Sequence, residues 1–197
     1  MPGLIACLLG RTRFRRARIL GAVMKATGNR PPAYVEAKGA YLRRDIPRWA
    51  AHYGIPFRFN SVFPQNTLAA LRLALVAQGR GTFEALHQRL FDAMFVDDLD
   101  LSDAGVLRSL LEDAGLDADE YLAAAESDGI KDELRANTDE AIQRGAFGAP
   151  TIFVGDEMFF GNDRFAFVQA ALDRRQAGPQ RTGIPGGFGQ VVAPQAG

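Results

Sequence analysis

The stretch GAFGAPTIFVGDEMFFGNDRF, residues 145–165, decides how the rest of this chain is read. Thr151 to Val154 is β-branched and aromatic, the composition of a strand. Gly155-Asp156 is a hairpin signal, and Glu157 to Phe160 is the returning strand. Asn162 or Asp163 then stands where a final helix, running to about residue 177, takes its N-cap. Just before the first strand lies Ala149-Pro150, and X-Pro bonds are cis in about 5–6% of cases in folded proteins. If cis, it turns the N–H and C=O of Ala149 out of the sheet, open to an extended peptide-like ligand. The helix end near Asp163 offers unpaired N–H groups to a carboxylate, and an Asn or Asp side chain there accepts from an ammonium. A small zwitterionic peptide suits both ends. A plain hairpin followed by an N-cap explains the same residues without a ligand, and the residues alone leave both readings open.

Upstream, residues 66–145 read as almost wholly helical. Phe83, Leu86, Leu90, Phe91, Met94 and Phe95 form an apolar stripe, with Thr82 placed to cap it. A second helix over 102–114 is stopped by Gly115, and Asp117 with Glu120 makes a capping box for the next. A more polar helix spans about 129–144. Earlier, a helix from about Tyr34 to Gly54 contains Pro47, which predicts a bend or a split. Residues 55–59, IPFRF, are a short strand or an extended connection, and Gly28, Pro31 and Pro32 mark a loop. Arg11 to Leu20 carries five arginines in imperfect alternation, which predicts a strand with one wet face rather than a nucleic-acid surface. Residues 178–197 are rich in Gly, Pro and Gln and predict a flexible tail.

Composition sets the outer limits. A chain of 197 residues, 47% apolar and 23% charged, is a globular domain with room for a sub-domain. Acidic and basic residues balance at 23 each, so no global field recruits nucleic acid or acidic lipid. The single cysteine, Cys7, forms neither an internal disulfide nor a CxxC pair, which implies a reducing, cytoplasmic setting. Leu4 to Cys7 matches the bare pattern of a lipoprotein cleavage site but lacks the basic and apolar segments of a secretory signal. No apolar run reaches the roughly 18 residues of a membrane span. His52 and His87 lack paired ligand spacing. Asp97, Asp98 and Asp100 lack the further donors and the glycine of a calcium loop, so they read as a solvated turn and no metal is expected.

The opening stretch closely resembles the C-terminal signature of 2-hydroxychromene-2-carboxylate isomerases. These are glutathione-dependent enzymes related to kappa-class glutathione transferases and to the DsbA-like branch of the thioredoxin superfamily. LGAVMKATGNRPPA, AKGAYLRRDIPRWAAHYGIPF and FPQNTLAALRLAL carry the resemblance upstream, over roughly residues 17–173. It implies an α/β, thioredoxin-like (DsbA-like) core from residues 1–65 and 146–177, with an all-helical insertion at 66–145 and the tail at 178–197. It implies glutathione lying along Ala149 beside Pro150, its γ-glutamyl end near Gly161, Asn162 and Asp163, and Asn29 as another contact. Lys25 resembles the family's substrate-side lysine, suited to an aromatic carboxylate; a solvated loop lysine is the alternative. Phe63 and Asn66 are placed at the substrate pocket, and a homodimer is implied.

In the resembled enzymes a serine in an FDFxSPY motif holds the glutathione thiolate. That motif is not found in this sequence. The expectation is therefore that the first core strand and its serine lie upstream of Met1, leaving no catalytic residue assigned here. Ser61 and Cys7 are not convincing substitutes. The expected activity is isomerisation to trans-o-hydroxybenzylidenepyruvate in aromatic-compound catabolism. The alternatives are a kappa-like transferase or DsbA-like oxidoreductase, the latter opposed by the missing CxxC, and a non-catalytic glutathione-binding or dimerising remnant.

Overall fold

The computed structural model describes residues 17–177. Residues 17–19 are pinned to a later helix. The Ile19 N–H donates to Thr138 Oγ1 at 3.1 Å, and Arg18 Nε donates to the Asn137 carbonyl at 3.2 Å. The buried Thr138 hydroxyl donates onward to the Leu134 carbonyl at 2.7 Å, so it is satisfied on both sides. Helix α1, Leu20–Ala26, follows at once. The strand expected over 11–20 is thus corrected where it can be seen: the Ile19 N–H goes to a side chain, not a neighbouring strand, and helix begins at Leu20. Residues 11–16 lie outside the described residues. Val23 and Met24 are the buried face of α1.

The chain leaves α1 through Gly28, whose φ of +68° suits a residue without Cβ. That turn returns the Asn29 N–H to the Met24 carbonyl at 2.9 Å. A 3-10 turn at Pro32–Tyr34 leads into α2, Glu36–Tyr53. Pro47 lies inside α2, yet the helix is not split. Pro47 and Arg43 are both exposed positions of the helix, where the loss of one backbone bond costs less than in the core. Residues 55–59 form an extended connection, not a strand. The Arg58 N–H donates to the Phe95 carbonyl at 2.6 Å, and Phe57 stacks on Phe95 at 6.0 Å.

Four helices follow: α3 (Leu68–Gly79), α4 (Phe83–Phe95), α5 (Ala104–Asp113) and α6 (Ala118–Ala125). They bury the largest apolar cluster, including Leu73, Leu86, Leu111 and Tyr121. Asp103 caps α5 by accepting from the Gly105 and Val106 N–H groups, and Asp117 caps α6 by accepting from Glu120. Thr82 does not cap α4 as expected. Its hydroxyl meets the Tyr121 hydroxyl at 2.7 Å instead, because a phenol buried in this cluster needs a polar partner.

Helix α7, Asp128–Gln143, leads to the antiparallel hairpin β1 (Thr151–Val154) and β2 (Glu157–Phe160), with Thr151 opposite Phe160 and Val154 opposite Glu157. Helix α8, Phe165–Gln176, completes the described residues. Side chains alternate across the hairpin. Val154, Ile152 and Phe159 pack on Val168 and Ala171 of α8, whereas Phe153 packs on the side of Val23, Ala141 and Ala146. The hairpin is therefore sandwiched between α8 and the pair α1 and α7, an α/β/α layering.

Candidate functional site

The turn from α7 into β1 runs close to two elements far away in sequence. Asn29 Nδ2 donates to the Phe147 carbonyl at 2.8 Å, while its Oδ1 accepts from the Arg30 N–H at 2.9 Å. Gly148 is buried against Phe160: a Cβ there would stand 2.9 Å from Phe160 Cε2. The Phe147 and Phe160 rings lie 4.4 Å apart and close this side. The Ala149–Pro150 bond is cis.

Following the carbonyls through this turn isolates one residue. The Phe147 carbonyl is taken by Asn29, and the Gly148 carbonyl accepts from Thr151 Oγ1 at 2.7 Å. The Pro150 carbonyl accepts from the Gly161 N–H at 3.0 Å. Ala149 is exposed, and neither its N–H nor its C=O has a hydrogen-bond partner among the described residues. The Ala149 backbone is left open, flanked by carbonyls that are engaged.

The Pro150–Gly161 bond ties this backbone to the segment after β2. Gly161 adopts φ 106° and ψ 152°, a conformation open essentially to glycine alone. The expected cap at Asn162 or Asp163 is corrected here. Residues Asn162–Arg164 form a 3-10 turn, and α8 begins at Phe165 without a side-chain cap. The Asp163 carboxylate is drawn to Arg164 instead, so a carboxylate and a guanidinium sit side by side, both about half exposed.

The structure thus brings Asn29, Ala149, Pro150 and Gly161 into one bonded chain, with Asn162 and Asp163 continuing it. Lys25 is exposed on the last turn of α1, from which Met24 receives the Asn29 N–H. Phe63 and Asn66 lie on a different loop. Asn66 Oδ1 accepts from the Leu68 N–H at 3.1 Å and so helps start α3, and Phe63 is 50% exposed beside Val62. No described contact joins that loop to Ala149.

The loop is nevertheless rigidly built. Buried Asn60 donates to the Met94 and Leu99 carbonyls at 3.1 and 2.9 Å, and accepts from the Val62 N–H and Gln65 Nε2 at 2.8 and 2.7 Å. Asp98 accepts from the Ser61 N–H at 2.6 Å and pairs with Arg58 at 2.9 Å. The solvated-turn reading of Asp98 is corrected, since its side chain is only 15% exposed and clasps the loop. The Ser61 N–H, opposed by partial desolvation and aided by Arg58, holds the Asp98 carboxyl below the usual aspartate range. A depressed folded value gives stability above the unfolded value of about 3.9, lost as pH falls through the folded one. Hydrogen exchange at the Ser61 amide should therefore accelerate as pH drops below about 4, once corrected for intrinsic rates. Asp98→Asn should remove that step; a step that persists refutes the assignment.

Sequence reasoning missed Tyr53, the Phe147–Phe160 wall and the Asn60 hub. Tyr53 reads in sequence only as one apolar position of a helix. His87 lies between the Phe83 and Phe91 rings, at 4.7 and 4.9 Å. Among the described residues no group of three or more His, Cys, Asp and Glu is placed to hold a metal. No described helix is long and apolar enough to cross a membrane.

Residues 11–173 match the model of the DSBA-like thioredoxin domain. The chain belongs to the DsbA-like thioredoxin family. Within it, a 2-hydroxychromene-2-carboxylate isomerase of Sphingobium xenophagum is 36% identical over 75% of this chain and 75% of its own. Glutathione S-transferase kappa 1 of Rattus norvegicus is 28% identical over 83% of this chain and 79% of its own. A solved structure of a 2-hydroxychromene-2-carboxylate isomerase superposes with a TM-score of 0.77 at 26% identity, covering 89% of this chain and 90% of that one. These relatives of the DsbA-like chain are an isomerase and a glutathione transferase, as the resemblance implied.

Proposed function

We propose that this protein binds glutathione along Ala149 and isomerises 2-hydroxychromene-2-carboxylate to trans-o-hydroxybenzylidenepyruvate. The observation that carries the reading is the open backbone of Ala149, framed by Asn29 on one side and Gly161–Asp163 on the other, in a chain so similar to isomerases of that name. The residues fit the ligand chemically. The Ala149 N–H and C=O pair with a peptide backbone as an added strand does. The adjoining Asp163 and Arg164 present opposite charges to the α-ammonium and α-carboxylate of a γ-glutamyl group. Asn29 keeps one amide hydrogen beyond its bond to Phe147. When bound, glutathione supplies a thiol nucleophile. Lys25 holds the substrate carboxylate, and Phe63 with Asn66 borders the aromatic ring. No residue of this chain is assigned to activating the thiol. The protein works in the cytoplasm, where thiols stay reduced, as a homodimer.

Calorimetric titration with glutathione, followed by absorbance assays of the chromene carboxylate with and without it, tests this. Glutathione-dependent isomerisation is the expected result. Conjugation of an electrophilic aryl halide without isomerisation favours the kappa-type transferase, and binding with neither reaction favours a glutathione-binding scaffold. Absence of binding rejects all three.

A further inference from the structure

We infer that Tyr53 is a positioning residue for the segment 161–163, and that Trp49 reports on its occupancy; the inference rests on the glutathione reading above. Tyr53 is the last residue of α2 and is far from the hairpin in sequence. Its hydroxyl donates to the Asn162 carbonyl at 3.0 Å. Its ring is held from three sides: stacked on Trp49 at 5.5 Å and 25°, and edge-on to His52 at 5.2 Å and Phe165 at 6.4 Å. The phenol is thus fixed before it meets the carbonyl, and the bond costs little further side-chain entropy.

The need for such an anchor follows from the backbone. Gly161 sits in a conformation that only glycine adopts readily, and Asn162–Arg164 is a single 3-10 turn without a side-chain cap. Two bonds fix this turn from outside: the Gly161 N–H to Pro150 at 3.0 Å, and Tyr53 to Asn162. The first aligns the turn with the Ala149 edge. The second sets how far the Asp163–Arg164 pair stands from that edge, the distance a peptide ligand must span. Helix α2 therefore acts on the site through one hydroxyl, and Trp49, the chain's single tryptophan, is stacked on that ring.

The test uses the full chain as wild type, Tyr53→Phe and Tyr41→Phe. Tyr41 lies on the same helix, and among the described residues its hydroxyl bonds only the neighbouring Asp45. Glutathione affinity is read by calorimetry, Trp49 emission by fluorescence, stability by thermal melting, and backbone opening by amide exchange at residues 161–163. In Tyr53→Phe we expect faster exchange at these amides without ligand, about threefold to tenfold weaker glutathione binding, and a smaller Trp49 response. The maximal rate at saturating glutathione should change less than its KM. Tyr41→Phe should match wild type throughout. A Tyr53→Phe protein that melts lower but binds glutathione as wild type does, or exchanges these amides no faster, overturns the inference alone. A wild type that does not bind glutathione overturns the functional reading, and this one with it.

Discussion

Replacing Gly161 with alanine should both destabilise the protein and cripple the candidate site. At φ 106° and ψ 152°, a side chain costs about 1–3 kcal/mol in backbone strain. The added Cβ also stands 2.6 Å from Asp163 Oδ1, too close for the carboxylate to stay where it is. Asp163 must shift its carboxylate, displacing the charge pattern proposed for the γ-glutamyl end. We expect a fall in melting temperature of roughly 3–10 °C for a chain of this size, and glutathione binding weakened by tenfold or more. Gly21→Ala serves as the control, because nothing lies within 4 Å of its added Cβ and it sits in an exposed position of helix α1. That change should be neutral or slightly stabilising, since alanine favours helix over glycine. Equal melting temperatures for Gly161→Ala and wild type would show that the segment relaxes freely.

Asn60→Ala should cost about 3 kcal/mol, more than most surface changes and through a different mechanism. Asn60 is 7% exposed, and its amide satisfies two carbonyls while its oxygen serves two donors. Removing it leaves the Met94 carbonyl and the Val62 N–H without that partner, and deprives Gln65, which also binds the Leu99 carbonyl and the Leu101 N–H. Asn60→Asp offers no repair, because a carboxylate cannot donate to the two carbonyls. Urea unfolding should show the midpoint shift in both variants. Under the isomerase reading the KM for the aromatic substrate should rise more than that for glutathione, because the loop carries Phe63. A loss below about 0.5 kcal/mol, the range of neutral surface changes, would mean that water replaces the hub.

The hairpin was legible because its signals are local. Thr151 to Val154 needs only β-branched and aromatic side chains to extend, and Gly155-Asp156 only a turn. Helix α4 was legible from its apolar stripe, the end of α5 from Gly115 and the start of α6 from Asp117, whose capping is decided within three residues. Errors fell where a side chain had two suitors. Thr82 was free to cap α4 but serves Tyr121. Asp163 was free to cap α8 but serves Arg164, and α8 starts two residues later. Residues 17–20 alternate like a strand, yet Thr138 claims the Ile19 N–H.

By itself, the sequence determined that a β-hairpin preceded by Ala149-Pro150 follows a helical stretch, and that the motifs around Asn29 and Asp163 belong with it. Only the tertiary structure decided that Asn29 reaches Phe147, that Pro150 holds Gly161, and that Tyr53 holds Asn162. Those bonds join residues more than a hundred positions apart in two of the three cases. The physical reason is that a turn or a cap is chosen by neighbouring residues, whereas a distant donor is brought to its carbonyl by the packing of α1, α7 and α8 around the hairpin and by the end of α2 at Tyr53. The open backbone of Ala149 lies where that packing leaves it, beside the engaged carbonyls of Phe147, Gly148 and Pro150.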